Sequence, residues 1–114
     1  MEISIIRQQN SIIIAPQGRI DHTSSEDFLV QLEPLLLECK SDGPALILDF
    51  AGVEYISSVG LRALMLTERQ IRSQKGRIAI AALTPMVLEV FQLSRFNLVY
   101  KIFNTVDEAV AGAK

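Results

Sequence analysis

The run Ala45-Leu46-Ile47-Leu48-Asp49-Phe50 constrains this chain most, because it is apolar on both alternating faces as far as Asp49. A strand with one wet face alternates apolar and polar residues, whereas a continuous apolar run marks an interior strand covered on two sides. Covering both faces of a sheet calls for helices on each, so an α/β fold is expected with this strand near its centre.

The residues before it supply a hairpin and a helix. Residues 3–7 and 11–15 are β-branched-rich runs separated by Gln8-Gln9-Asn10, which predicts an N-terminal hairpin with Asn10 in a left-handed turn conformation. After Pro16-Gln17-Gly18, the segment Arg19-Ile20-Asp21-His22 leads into Thr23-Ser24-Ser25-Glu26. That tetrad fits a capping box closed between Thr23 and Glu26, so a helix is predicted to begin near Ser24. Phe28, Leu29, Leu32, Leu35, Leu36 and Cys39 recur at the three- and four-residue steps of one helical face, and Ser41-Asp42-Gly43-Pro44 stops it. Pro34 interrupts this pattern. An interior proline removes a hydrogen bond at a cost of about 3 kcal/mol, which predicts a kink or break after the first turns.

Beyond the central run, Leu61, Leu64, Met65, Glu68 and Ile71 repeat at helical spacing. The predicted helix runs from about Ser58 to Lys75, where Gln74-Lys75-Gly76 gives a cationic last turn and a glycine cap. Ile78-Ala79-Ile80-Ala81-Ala82 is the next buried strand. Thr84-Pro85 is an N-cap with proline at the first helical position, opening a helix over residues 86–93. Residues 99–103 form a short strand, and Thr105-Val106-Asp107-Glu108 is a second capping box before a small terminal helix. Joined by right-handed crossovers, these elements make a mixed sheet of about four to five strands with about four helices. The 114 residues correspond to one compact domain spanning 1–114.

In parallel strand–helix units the strand C-termini point to one edge, so the loops around residues 21–24, 55–60 and 83–85 are expected to gather there. The middle one is Tyr55-Ile56-Ser57-Ser58-Val59-Gly60-Leu61-Arg62, two hydroxyl residues where a buried strand turns into a helix. A helix start presents unpaired N–H groups and a positive dipole end, which hold a serine oxygen or an added phosphate. Serine is also an ordinary N-cap, and Asp21 and Asp49 suit structural acceptors for adjacent turns. Arg62 reads as a solvated helix residue whose candidate contact is an acidic partner.

These residues resemble the STAS domains, particularly the small free-standing bacterial anti-sigma factor antagonists, over essentially the whole chain. In that family a strand like Leu48-Asp49-Phe50 precedes a short loop, then a hydrophobic residue followed by Asp-Ser-Ser/Thr/Ala-Gly-Leu. Here Ile56-Ser57-Ser58-Val59-Gly60-Leu61 fills those places. Pro16-Gln17-Gly18-Arg19-Ile20-Asp21 resembles the family's glycine two residues before a hydrophobic-Asp pair. Leu93-Ser94-Arg95-Phe96 resembles the segment after the third helix, where a Ser-Gly or similar pair precedes an apolar residue.

The resemblance implies a non-catalytic signalling protein that binds an anti-sigma factor which is also a serine kinase of the histidine-kinase-like ATPase type. A serine phosphatase reverses the mark that this kinase adds. Carried over by position, the phosphoacceptor is Ser58; Ser57 stands where the family has aspartate and is a second candidate hydroxyl. The implied partner surface comprises Asp21, His22, Thr23, Ser24, Tyr55, Ile56, Ser57, Val59, Gly60, Leu61 and Arg62. In it Ile56, Val59 and Leu61 form a docking rim, and Gly60 lets a partner's nucleotide phosphate or backbone approach the serine. The alternative is a STAS scaffold that binds a non-sigma signalling partner without phosphorylation.

Other classes fit less well. The formal charge of −2 comes without a basic run, which removes the usual drive toward nucleic acid or anionic membranes. No apolar run approaches the roughly 18 to 20 residues of a membrane span, and nothing indicates export. Cys39 is the one cysteine, so no internal disulfide forms; a packed core thiol in a reducing cytoplasm is expected. Ser58, His22 and Asp21 or Asp49 supply the residue types of an acyl-transfer triad. Yet adjacent Asp21 and His22 are badly placed for base orientation, and no Gly-x-Ser-x-Gly elbow exists. No metal-ligand spacing or nucleotide fingerprint occurs, so neither metal nor cofactor is expected, and the chain is expected to be a monomer or weak dimer.

Overall fold

The computed structural model describes residues 1–113. Strands β1 (Ile3–Gln8) and β2 (Ser11–Pro16) pair antiparallel through a turn in which Gln9 and Asn10 both have positive φ, 49° and 62°. Two left-handed residues match a tight hairpin to the right-handed twist of its strands. The chain continues through β3 (Gly18–Ile20), α1 (Ser25–Leu36), β4 (Ala45–Asp49), β5 (Val53–Ile56) and α2 (Ser58–Ser73). It ends with β6 (Ile78–Ala81), α3 (Pro85–Leu93), a 3-10 turn at Phe96–Leu98, β7 (Lys101–Phe103) and α4 (Val106–Gly112).

The main sheet has the order β1-β2-β4-β6-β7, with every pair after the hairpin parallel. This is the expected mixed α/β fold, and β4 is its middle strand. The apolar run of β4 divides its side chains as its position requires. Leu46 and Leu48 enter the larger core with Ile12, Ile14, Phe28, Leu64 and Phe91. Ile47 enters a smaller core with Ile13, Ala79, Ala81 and the α4 residues Ala109 and Val110. Cys39 lies fully buried in the larger core, and burial pushes its thiol up to about 11.

Four local expectations need correction. Thr23 and Glu26 close no capping box: the N-cap is Ser24, with no side-chain cap, because the Thr23 hydroxyl donates to Asp21 Oδ1 at 2.7 Å. The Asp21 carboxylate competes for the hydroxyl that would have capped the helix. Pro34 does not break α1, which continues to Leu36. The carbonyl that proline leaves unpaired belongs to Val30, which is 59% exposed, so the lost bond falls on the solvent-facing side of α1. The last strand starts at Lys101 rather than residue 99, since Tyr100 is tied into the preceding turn and its hydroxyl donates to the Leu64 carbonyl at 2.7 Å. Thr105 does cap α4, accepting from Glu108 N at 3.1 Å, but its hydroxyl donates to the Glu108 carboxylate instead of the box closing through the Thr105 N–H.

A second, two-stranded sheet was not anticipated. β3 and β5 pair in parallel, Arg19 opposite Tyr55 and Ile20 opposite Ile56. This small sheet delivers the middle loop to its place.

Candidate functional site

The site grows out of the β3–β5 pair. Because Ile20 and Ile56 are partners in register, the next residue on each strand leaves from the same edge, and Ser57 N–H donates to the Ile20 carbonyl at 3.0 Å. The third loop is tied in by Thr84, whose hydroxyl donates to the Val53 carbonyl at 3.3 Å while capping α3. The 21–24 and 55–60 loops thus meet at the ends of β3 and β5, while the 83–85 loop is anchored at the first residue of β5.

The two serines have different roles. Ser57 is the N-cap of α2: its Oγ accepts from Gly60 N at 3.2 Å and its carbonyl from Leu61 N at 2.8 Å. Ser58 is the first helical residue and is exposed, and among the described residues its hydroxyl makes no hydrogen bond. With Gly60 and Leu61 amides taken, those of Ser58 and Val59 are left at the positive end of a 16-residue helix.

Asp21 and the residues around it are occupied by their own turn. The Asp21 carboxylate accepts from Thr23 Oγ1 and from Thr23 N at 3.0 Å, and Arg19 Nε lies 3.5 Å away. The hydrogen bonds from the Thr23 hydroxyl and then its amide hold the Asp21 carboxyl down at about 2. Ser24 Oγ donates to the Arg19 carbonyl at 2.6 Å, and the Arg19 guanidinium covers the half-buried Tyr55 ring at 4.4 Å. Asp49 likewise accepts from Ala51 N at 3.1 Å. Both aspartates act as loop acceptors. His22 is exposed, and no hydrogen bond joins it to Ser58 or Asp21 among the described residues, so the triad geometry is not assembled.

Two residues of the expected docking surface face inward. Ile56 is 2% exposed and belongs to the core, so it drops out of the rim. Gly60 is buried too: a Cβ there would lie 2.5 Å from the Ile20 carbonyl oxygen and 2.7 Å from Ile56 Cγ1. The missing side chain lets α2 begin against the β3–β5 pair, and it opens no path from solvent to the serine.

The exposed surface lies further along α2. Arg62 and Leu66 form a ridge with an apolar cleft on each side. One cleft is lined by Ser58, Leu61, Met65 and Phe96 with Arg69 at its edge, and the other by Leu29, Val59 and Ala63 with Ser25 and Glu26. Leu93 and Leu98, 80% and 77% exposed, flank Phe96 at the end of α3. The sequence did not place Leu29, Leu66, Leu93, Phe96 or Leu98 on this surface: Leu29 reads as part of the inward face of α1, and Leu66 is legible only as the outward residue of an otherwise regular helix. Arg95, beside Phe96, has φ 62°, the left-handed conformation that favours glycine at this point of the chain.

Comparison with known proteins agrees with this architecture. The STAS domain family model matches residues 2–109. BtrV of Bordetella bronchiseptica, a proposed anti-sigma factor antagonist, is 30% identical over 100% of this chain and 96% of its own length. A proposed anti-sigma factor antagonist from Thermotoga maritima superposes with a TM-score of 0.88 at 20% identity, covering 97% of this chain and 93% of that one. The Bacillus cell fate determinant SpoIIAA in its phosphorylated form has the same fold, with a TM-score of 0.72 at 18% identity over 99% of this chain and 100% of that one. With the five-stranded mixed sheet, the loop edge and the helix-opening serine pair in place, the chain belongs to the STAS domain family.

Proposed function

We propose that the chain is an anti-sigma factor antagonist, a non-catalytic cytoplasmic protein that docks through the α2 edge onto an anti-sigma factor with serine kinase activity. The observation that carries this reading is the exposed, uncommitted Ser58 hydroxyl at the opening of α2, beside two apolar clefts. The names of the relatives support the same class.

The switch follows from charge. Phosphorylation of Ser58 adds about −1.5 to −2 charge and three acceptor oxygens, and the free amides and dipole of α2 offset part of the local cost. The fold therefore survives modification. Against a partner seated on Val59, Leu61 and Leu66 the same charge is desolvated, a cost that Arg62 and Arg69 along the same cleft offset only in part, and a remaining loss of about 3 kcal/mol weakens affinity more than a hundredfold. A serine phosphatase restores the binding form. Ser57 is a poorer acceptor because its oxygen is engaged as the cap of the helix.

The test is incubation with the kinase of the same organism, ATP and magnesium, followed by phosphosite mass spectrometry. Signal is expected in wild type and Ser57→Ala and absent in Ser58→Ala, and Ser58→Asp is expected to keep the circular dichroism spectrum while losing the partner. A wild-type protein that binds its partner normally yet stays unmodified removes the switch. One observation favours that second reading, a scaffold for a non-sigma partner: Ser57 occupies the aspartate position of the family motif.

A further inference from the structure

The two edges of the main sheet are not alike. At one side β7 has three residues, Lys101 among them, a short charged strand of the kind that resists pairing with a neighbour. At the other side β1 runs for six residues with three isoleucines and an unbroken register against β2. Ile5 and Ile6 are 46% and 54% exposed, one on each face of the strand. Arg7, the charge on this strand, is drawn aside into a bidentate pair with Glu38 at 2.7 and 2.8 Å. Proline, lysine and bulges, which ordinarily blunt an open edge, are missing from β1.

The free backbone groups of this edge follow from the hairpin. Gln8 and Ser11 flank the two-residue turn and exchange hydrogen bonds, and at the far end of the ladder Gln17 N–H donates to the Glu2 carbonyl at 2.9 Å. The even-numbered residues of β1 therefore turn their N–H and C=O groups to β2. Ile3, Ile5 and Arg7 turn theirs to the other side, where no strand of the chain lies. The next outward group, the Met1 carbonyl, is taken by Gln31 Nε2 at 2.8 Å, so the open segment is confined to those three residues.

We infer that this edge pairs with β1 of a second copy of the chain, antiparallel about a two-fold axis through Ile5, to make one continuous sheet. Ile5 opposite Ile5 and Ile3 opposite Arg7 is the one antiparallel register that uses all three open residues of both copies, each pair exchanging two hydrogen bonds. Charge favours the same arrangement. Asp27 sits at the start of β1, on the Met1 amine, and Arg7 at its end. Antiparallel pairing brings these unlike ends together, whereas parallel pairing sets Arg7 beside Arg7. On one face the two Ile5 side chains meet, which removes apolar surface from water. A strand-to-strand contact is small by the standard of stable interfaces, so the dimer is weak and concentration-dependent. The docking residues of α2 lie on another element, and Ser58 of each copy stays free.

Sedimentation velocity of the full chain from about 10 μM to about 1 mM reads the association. The average mass of wild type is expected to climb from monomer toward dimer. Ile5→Lys, which sets two lysines opposite each other at an exposed position, is expected to weaken association by about tenfold or more, and Leu98→Lys, at an exposed leucine outside β1, to behave as wild type. Cross-linking reads the register, with Cys39 buried out of reach. Positions 4 and 6 face one another as a non-hydrogen-bonded pair with Cα atoms about 4.5 Å apart. A mixture of Ser4→Cys and Ile6→Cys chains is therefore expected to form a mixed disulfide dimer under mild oxidation, and neither variant alone. A chain that stays monomeric throughout, or that builds assemblies larger than a dimer, overturns the proposal. So does an Ile5→Lys that associates like wild type, or a Ser4→Cys that links only to itself.

Discussion

The two ends of α2 solve the problem of a helix terminus differently. At Ser57 the cap is answered locally: its oxygen accepts from the Gly60 amide, its amide donates to the Ile20 carbonyl, and the exposed Ser58 hydroxyl is left over with the Ser58 and Val59 amides. About three turns away a Glu68 carboxyl oxygen is buried without a hydrogen bond, its ion partner Arg72 lying 3.5 Å off on an exposed side chain. The first end is finished as structure and offers one hydroxyl outward. The second rests on one loose ion pair to an exposed side chain. Local capping energetics explain the first, and a single i,i+4 contact of small energetic weight answers the second.

Four perturbations break or sharpen this contrast. The largest effect is expected for Gly60→Ala, whose Cβ meets the Ile20 carbonyl oxygen at 2.5 Å; urea unfolding should show a loss of about 2–3 kcal/mol. An effect below about 0.5 kcal/mol would mean that the Ser57 end is less tightly built than its hydrogen bonds indicate. Next, Ser57→Ala should cost about 1 kcal/mol as a lost N-cap, while Ser58→Ala stays within about 0.5 kcal/mol. Equal losses in paired denaturation curves would erase the distinction between the two serines.

At the other end Glu68→Gln should change stability by less than about 1 kcal/mol, since it gives up the loose Arg72 ion pair together with the buried charge and leaves an amide of the same shape. A clear destabilisation measured by thermal melting would make Glu68 a structural residue. The smallest effect belongs to Asp21. Its folded value of about 2 lies below the ordinary 3.8, so its contribution to stability is complete above the ordinary value and disappears as the pH falls through about 2. Asp21→Asn should therefore melt lower than wild type at neutral pH, and the gap should close in acid. A gap independent of pH would show that the carboxylate charge plays no part in holding the loop.

Much of the frame was legible from sequence because long elements repeat themselves. β4 announced two covered faces, α2 displayed its inward stripe over four turns, and parallel topology then required the loops to meet. Short elements gave no such redundancy. β3 has three residues and β5 four, too few for periodicity to say which side of Ile56 is wet, so a core residue was assigned to the docking rim. The capping tetrad at Thr23 failed for another reason: two acceptors competed for one hydroxyl, and sequence does not rank them. Gly60 was recognised as necessary, but whether its missing side chain opens outward or inward depends on the β3–β5 pairing, a contact between residues far apart in the chain.

Cys39 has a practical meaning beyond its packing. Fully buried and with its thiol pushed up to about 11, the single cysteine is inert toward maleimides at neutral pH, so the wild-type chain behaves as a cysteine-free background. A cysteine introduced at position 101, away from the docking edge, is then the sole labelling point on a molecule whose Ser58 is intact. A fluorophore there shows whether partner docking at the opening of α2 is felt across the domain.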